Sequence, residues 1–236
     1  MEKLITYNNL CSFAYTNDHI CKKPIQGIVV YFYGLNWNQM LREDPPEGIR
    51  YAQEGILYVV PYSRPWAWMN DQAVAYTDEI LDVLCREYGA DLPIVSSGMS
   101  MGGLSAILYS KFARRRPVAC VANCPVCDLV YHFTERPDLP RTLYGAYYGE
   151  PGTLEAVLQR HSPLHLASEL PRIDYRIFHC EEDLSVNLHR HSERFVAAMA
   201  ALGHRISLHT VPGKGHCDLT EEMRTLFADY CIAAIK

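Results

Sequence analysis

Ser100 lies in the run Ile94-Val95-Ser96-Ser97-Gly98-Met99-Ser100-Met101-Gly102-Gly103, where an apolar strand pattern gives way to a helical one. A serine between glycines at such a boundary is the arrangement of a nucleophile elbow. The turn strains the serine backbone, Gly98 and Gly102 let strand and helix approach closely, and the hydroxyl stands exposed at the edge of a sheet. The helix that follows, from Met101 through Leu104, Ala106, Ile107 and Leu108 to about Arg115, aims free N–H groups and the positive end of its dipole at Ser100. An anion forming there is stabilised. The G-x-S-x-G pattern alone recurs by chance in glycine-rich turns, so the strand before it and the helix after it carry the chemical reading.

A serine hydroxyl is a weak nucleophile at neutral pH and requires a histidine base with a carboxylate to orient it. The chain supplies both. In Tyr175-Arg176-Ile177-Phe178-His179-Cys180-Glu181-Glu182-Asp183-Leu184-Ser185-Val186-Asn187 an apolar strand runs into an acidic loop, and Asp183 is the best acid. Glu181 and Glu182 share that loop, and Asp128, at the end of an earlier strand, is the more serious rival. Further on, Ile206-Ser207-Leu208-His209-Thr210-Val211 alternates like a strand and ends in Pro212-Gly213-Lys214-Gly215-His216, a glycine-rich turn presenting His216 as the best base.

The order Ser100, Asp183, His216, each at the end of a strand and the start of a loop, resembles the α/β-hydrolase superfamily, whose triad follows that order. More narrowly, Ser162-Pro163-Leu164 and the loop from Phe178 to Val186 resemble the esterase and prolyl-oligopeptidase-like branch, where the acid loop reads His-Gly-x-x-Asp-x-x-Val-Pro. His179, Asp183 and Val186 match; Cys180 replaces the glycine and Asn187 the proline. The resemblance covers roughly residues 27–236 and is specific to the superfamily rather than to a substrate.

It also implies an oxyanion hole. One donor is the backbone N–H of Met101, and the second should come from a loop after an earlier central strand. The run Ile28-Val29-Val30-Tyr31-Phe32-Tyr33-Gly34-Leu35-Asn36-Trp37 fits that place. Relatives often read His-Gly-Gly there, so Leu35 is the expected donor. Tyr33, standing where a histidine is common, either adds a phenolic hydrogen bond or walls the pocket, and we favour the wall.

Stepping outward along the chain, strand patterns occur at about 28–33, 56–60, 94–97, 118–122, 175–179 and 206–211, and helical ones at 70–88, 100–115, 187–202 and 219–235. Residues 4–15 could supply an antiparallel hairpin. Such alternation predicts an α/β class: a doubly wound, mainly parallel sheet with helices on both faces and the site at the strands' carboxyl ends. Two segments interrupt it. Pro61-Tyr62-Ser63-Arg64-Pro65-Trp66-Ala67-Trp68-Met69-Asn70 leaves a core strand at the edge that carries Ser100, and residues 129–167 form a longer insertion, expected as a small helical cap, that includes Leu143-Tyr144-Gly145-Ala146-Tyr147-Tyr148-Gly149. With 16 tyrosines in the chain, aromatic walls would suit an apolar or ring-shaped acyl or alcohol group. Trp66, Trp68, Tyr144 and Tyr147 are therefore candidate substrate contacts, weighed evenly against a role in pinning loops to the core. An exposed Arg64 is more simply solvated than bound to a substrate carboxylate.

The composition sets bounds. A chain of 236 residues, 49% hydrophobic and 21% charged, suits one catalytic domain spanning 1–236 with one sizeable core. No apolar run reaches transmembrane length, and Met1-Glu2-Lys3-Leu4-Ile5-Thr6-Tyr7-Asn8 lacks a signal-peptide pattern, so a cytoplasmic location without membrane attachment is expected. A formal charge of −5 gives no basic footprint for nucleic acid, and Arg114-Arg115-Arg116 complements a helix dipole. The nine cysteines, an odd number that includes Cys85, Cys120 and Cys231 in apolar segments, read as reduced thiols. Cys124-Pro125-Val126-Cys127 has a redox or metal-site spacing, but without a second pair it reads as a strand-end loop. His189 and His191, two apart on a helix, diverge by about 200° and share no ligand face.

We therefore expect a serine hydrolase cleaving carboxylic esters of small or medium substrates through a Ser-His-Asp acyl-enzyme, with no metal or organic cofactor and a small-molecule ester as its partner. The oligomeric state is not legible. A prolyl-oligopeptidase-like peptidase or an acyltransferase is the enzymatic alternative. A non-catalytic hydrolase-like binding module is the alternative of another class, disfavoured because all three candidate triad residues are present.

Overall fold

A computed structural model describes residues 4–236; the first three residues of the N-terminal run lie outside it. The strands are β1 (Ala14–Thr16), β2 (Gly27–Phe32), β3 (Ile56–Pro61), β4 (Ile94–Met99), β5 (Ala119–Asn123), β6 (Asp174–Cys180) and β7 (Arg205–Val211). The helices are α1 (Pro46–Gln53), α2 (Asp71–Tyr88), α3 (Met101–Phe112), α4 (Leu129–Glu135), α5 (Leu139–Ala146), α6 (Leu154–Arg160), α7 (Arg194–Ala201) and α8 (Glu221–Ile235). One seven-stranded sheet runs in the order β1-β3-β2-β4-β5-β6-β7; β1 is antiparallel and every other neighbour parallel. This is the mainly parallel α/β sheet expected from the alternation, and the strand order agrees with the α/β-hydrolase fold that the resemblance implies.

The central strands are buried on both faces, so they read as continuous apolar runs rather than alternating ones. Ile28 and Val30 of β2 enter one core with Ile80 and Leu84 of α2, Leu104 of α3 and Phe195 of α7. Val29, between them, faces the other core with Tyr51 of α1 and Phe227 and Cys231 of α8. Helix α3 is buried almost all round, which places the helix that starts at Met101 in the middle of the molecule.

Strand β2 lies between β3 and β4, so the connections leaving β2 and β4 depart in opposite directions. Such a switch point opens a crevice at the strands' carboxyl ends. Register sets what meets there. Phe32 pairs with Gly98 and Met99 with Asn123, which brings Gly34, Ser100 and Cys124 to one edge. The approach is close enough that a Cβ on Gly102 would overlap the Phe32 carbonyl, and one on Gly98 the Gly102 carbonyl.

One local expectation needs correction, and two elements differ in detail from the sequence pattern. The N-terminal segment is no hairpin: Tyr7–Ser12 forms a tight 3-10 turn, with Asn9 accepting the Thr6 N–H at 2.8 Å and Leu10 sunk in the core, and only β1 pairs, with β3. Helix α1 was not anticipated, because Pro45-Pro46 reads as irregular chain. Proline is nonetheless tolerated in a helix's first turn, and Tyr51 and Ala52 then bury one face of it. The helix after the acidic loop opens as a π-helical turn, His189–Glu193, before α7. Residues 129–167 hold α4, α5 and α6 between β5 and β6. Among the described residues, no helix is long and apolar enough to cross a membrane.

Candidate active site

Ser100 sits between β4 and α3 with φ +58° and ψ −124°, a conformation L residues rarely adopt and one held here by its surroundings. Its N–H donates to the Asn123 carbonyl at 2.9 Å, and its carbonyl accepts the Gly103 and Leu104 N–H groups at 3.0 and 3.1 Å. The hydroxyl is left to point at His216, whose Nε2 is 2.9 Å from Ser100 Oγ.

His216 Nδ1 lies 2.6 Å from Asp183 Oδ2. A carboxylate only accepts, so Nδ1 carries the proton and the Nε2 lone pair faces the serine. Asp183 is itself buried, and its Oδ1 accepts the Ser185 and Val186 N–H groups at 2.8 and 2.9 Å. Burial works to raise the Asp183 pKa. The hydrogen bonds of His179, His216 and the Val186 N–H, with the charge on His216, overcome it and hold the carboxyl far below the usual range. Burial likewise works to lower His216, but the Asp183 hydrogen bond and charge, with Cys124, push it above the ordinary histidine value.

His179 supports this acid and was given no role from sequence. It is fully buried, donates Nε2–H to the Val186 carbonyl at 2.9 Å, has Asp183 Oδ2 at 3.4 Å, and accepts from Ser192 Oγ through Nδ1 at 2.7 Å. It thereby fixes both ends of the acidic loop. The signal was its place in the strand-end His-x-x-x-Asp pattern. The rival Asp128 is elsewhere: it caps α4 through the Tyr131 N–H at 3.1 Å and pairs with Arg194 at 3.1 Å.

The N–H groups of Met101 and Leu35 have no acceptor among the described residues. Gly34 abuts the nucleophile, since a Cβ there would lie 3.4 Å from Ser100 Cβ. Met101 directly follows Ser100 and Leu35 directly follows Gly34, so these two N–H groups are the candidates for oxyanion donors. Tyr33 stacks on Trp37 with centroids 3.9 Å apart and lines a cavity of about 210 Å³ together with Gly34 and Met101.

That cavity shares Tyr62, Ser63 and Pro65 with a larger cleft of about 670 Å³ bordered by Arg64, Trp66, Asn70, Tyr76 and Gly145. Trp66 is held there by Asn36, which accepts its indole N–H at 2.7 Å, and by the Arg141 guanidinium 5.1 Å from the ring centroid. Arg64 is exposed on the cleft wall and makes no ion pair among the described residues. Tyr144 is exposed and packs edge-on to Tyr148. Trp68 and Tyr147, in contrast, are packing residues, which corrects the expectation that they touch substrate. Trp68 is 0% exposed and donates to Thr142 Oγ1 at 3.2 Å; Tyr147 stacks on His161 and donates to the Trp68 carbonyl at 2.6 Å. Their hydrogen bonds are spent inside the protein.

Three groupings have donor atoms close enough to consider a metal; in one of them, Cys124, His179 and Asp183, both His179 ring nitrogens are already engaged by Ser192 and the Val186 carbonyl, which leaves two to weigh. In the first, Glu135 Oε2 accepts from His132 Nδ1 at 2.6 Å and from His191 Nε2 at 2.9 Å. His191 Nδ1 already accepts the Cys127 and Asp128 N–H groups at 3.1 Å, so its Nε2 keeps a proton and cannot ligate. This is a hydrogen-bonded tie between α4 and the acid-loop helix, and Glu135 Oε1 adds the Asn187 N–H at 3.0 Å. The second grouping, Cys124, His216 and Cys217, has no such impediment. The Cys124/Cys127 pair suggested by sequence spacing does not form, because the two residues belong to the cores on opposite faces of the sheet.

The prolyl oligopeptidase family matches residues 82–228. Among curated proteins, no sequence matches. Among solved structures, a puromycin-hydrolyzing peptidase of Mycobacterium tuberculosis superposes with a TM-score of 0.72 at 20% identity, over 91% of this chain and 34% of its own. An acylaminoacyl peptidase of Pyrococcus horikoshii gives 0.67 at 12% identity, over 83% and 34%. Esterase PE8 gives 0.60 at 16% identity, over 89% and 94%. The chain thus spans about a third of the length of those peptidases, and the likeness to all three is one of fold.

Proposed function

The chain belongs to the prolyl oligopeptidase family, and from that premise we propose that it hydrolyses carboxylic esters of small or medium size through an acyl-enzyme on Ser100. The observation that carries the reading is the continuous chain Ser100 Oγ, His216 and Asp183, linked at 2.9 and 2.6 Å behind a strained elbow. Ser100 Oγ attacks the carbonyl carbon while its proton passes to His216 Nε2. Asp183 holds the imidazole and stabilises its positive charge, and the Met101 and Leu35 N–H groups receive the oxyanion. His216 returns the proton to the leaving alcohol. Water then enters along the same path: His216 takes its proton as it attacks the acyl carbon and passes that proton to Ser100 Oγ as the acid departs.

The open cleft supports an ester with an apolar face. Its lining combines aromatic and small residues with Ser63, Asn70, Gln72 and Arg64 and holds no carboxylate, so no opposite charge in it would pair with a free amino group. The alternative is a peptidase, favoured by the family match and by the peptidases of like fold. Residues 129–167 are on this account a small cap, and Trp66 and Tyr144 contact the acyl or alcohol group. The test is a series of nitrophenyl esters of graded acyl length run beside aminoacyl arylamides. Ester turnover that vanishes in Ser100→Ala supports the proposal, whereas arylamide turnover exceeding that of every ester would replace it with the peptidase.

A further inference from the structure

We propose that Cys124, Cys217 and His216 form a site for a thiophilic divalent cation, Zn²⁺ being representative, and that its occupation switches off chemistry at Ser100. The three donor atoms lie within 4.8 Å of one another. Cys217 Sγ is 3.6 Å from His216 Nε2, the same nitrogen that faces Ser100 Oγ at 2.9 Å. A tetrahedral zinc with bonds of roughly 2.0–2.3 Å needs donors about 3.5–3.8 Å apart, so the cluster has to close by no more than about an ångström. Two thiolates and an imidazole are a donor set that selects Zn²⁺ over the hard cations.

The backbone builds this cluster and no sequence spacing reveals it. Cys124 and Cys217 both adopt left-handed conformations, with φ of +44° and +59°, which turn their side chains toward one another from separate loops. Cys124 follows β5 opposite Ser100, and its sulfur accepts the N–H groups of Cys180 and Cys217, each at 3.4 Å. The Cys180 contact and those N–H groups favour negative charge on the sulfur, but the Cys217 thiol and burial prevail and push the Cys124 thiol up to about 11, so the metal itself has to displace the proton. The imidazole, by contrast, is prepared. Because Nδ1–H donates to Asp183, the lone pair is on Nε2, the tautomer a metal ligand requires, and Asp183 is the second contact that usually orients one; the ion would displace the Ser100 hydroxyl that this lone pair now faces.

Cys124 is fully buried, so an ion would reach it past its two partners. The His216 side chain is 28% exposed, and Cys217 borders a cavity of about 260 Å³ that also touches Tyr33, Glu47 and Arg224. Binding Zn²⁺ forms two Zn–S bonds and one Zn–N bond and releases two thiol protons to solvent, leaving an electrically neutral core. The fourth position falls to water or to the Ser100 oxygen. Either way the Nε2 lone pair is engaged and cannot accept the serine proton. The site stands on geometry alone; its inhibitory consequence rests on the reading of His216 as the base for Ser100.

The experiment titrates Co²⁺ into the reduced protein and into Cys217→Ser and Cys124→Ser, recording absorption, and in parallel measures fluorophosphonate labelling of Ser100 with and without Zn²⁺. One equivalent of Co²⁺ should give the intense visible bands of four-coordinate cobalt with a thiolate charge-transfer band, and Zn²⁺ should displace it. Zn²⁺ should block labelling of the unmodified protein, and loss of one ligand should raise the concentration required by about tenfold or more. A weak, six-coordinate spectrum, or one unchanged in both variants, would overturn the site. Cobalt bands as expected, with labelling indifferent to Zn²⁺, would overturn the inhibition. Failure of Ser100 to label without metal contradicts the hydrolase reading instead and leaves the cobalt result standing.

Discussion

Asp183 is the side chain on which the electrostatics of the site turn. Its carboxylate is buried and held charged by two histidines and two backbone N–H groups, so replacing it with asparagine removes the charge that stabilises protonated His216 and the acceptor that fixes its tautomer. Asp183→Asn should lower turnover by up to ~10⁴-fold with the fold intact, while Asp128→Asn, which touches only the α4 cap and Arg194, should leave turnover near normal. Steady-state kinetics of the two variants decide it; the reverse ranking would move the acid to Asp128. The sign of the pH dependence follows from the same pair. His216 must be neutral to act as base, and its pKa is raised, so the rate should climb with pH through a midpoint above the ordinary value of about 6.5. In Asp183→Asn that midpoint should fall back toward the ordinary value, and a midpoint that stays in place would show that Asp183 does not set it.

At the scale of elements, the tie between α4 and the acid loop is the part of the architecture most exposed to acid. Burial, opposed by the Glu135 hydrogen bond, lowers the His132 pKa to about 4, while Glu135, despite burial, is held well below the usual carboxylate range by His132 and His191. Both shifts are depressions, so the stability they contribute is present above the unfolded pKa and lost as pH falls toward the folded one. For His132 that window runs from about 6.5 down to about 4. Thermal unfolding should therefore move to lower temperature across the window, and His132→Asn should flatten the slope whatever it does to stability at neutral pH. An unchanged slope would place the acid sensitivity in another element. The aromatic loops divide in the same terms. Trp68→Ala should cost about 3–5 kcal/mol of stability and Tyr147→Phe about 1 kcal/mol. Trp66→Ala and Tyr144→Ala should reorder preference among esters by roughly 1–3 kcal/mol and alter stability little. Calorimetry beside an ester panel separates the pairs; if Trp66→Ala changes only the melting temperature, the pocket lies elsewhere.

Across the whole molecule, what was legible in the sequence was whatever local pattern dictates. Five of the six main strands announced themselves as apolar runs and β7 as an alternating one, and Ser100, Asp183 and His216 each stood shortly after such a segment ends. What failed depended on burial direction or on contacts across the sheet. Trp66 and Trp68 sit two apart in one loop, yet one borders the cleft and the other fills the core, because positive φ at Trp68 and Met69 turns the chain inward. The meeting of Cys124 with Cys217 comes from register between β4 and β5 and from the turn after β7, neither of which spacing encodes. The helix α1 was hidden by its prolines. The central claim concerns none of these, but the joining of three distant strand ends into one nucleophilic centre. Mass spectrometry after fluorophosphonate treatment measures it most directly. A single adduct on the peptide containing Ser100, absent from Ser100→Ala and strongly slowed in an alanine variant of His216, is the predicted result. An adduct on another residue, or labelling unchanged in Ser100→Ala, would contradict the account.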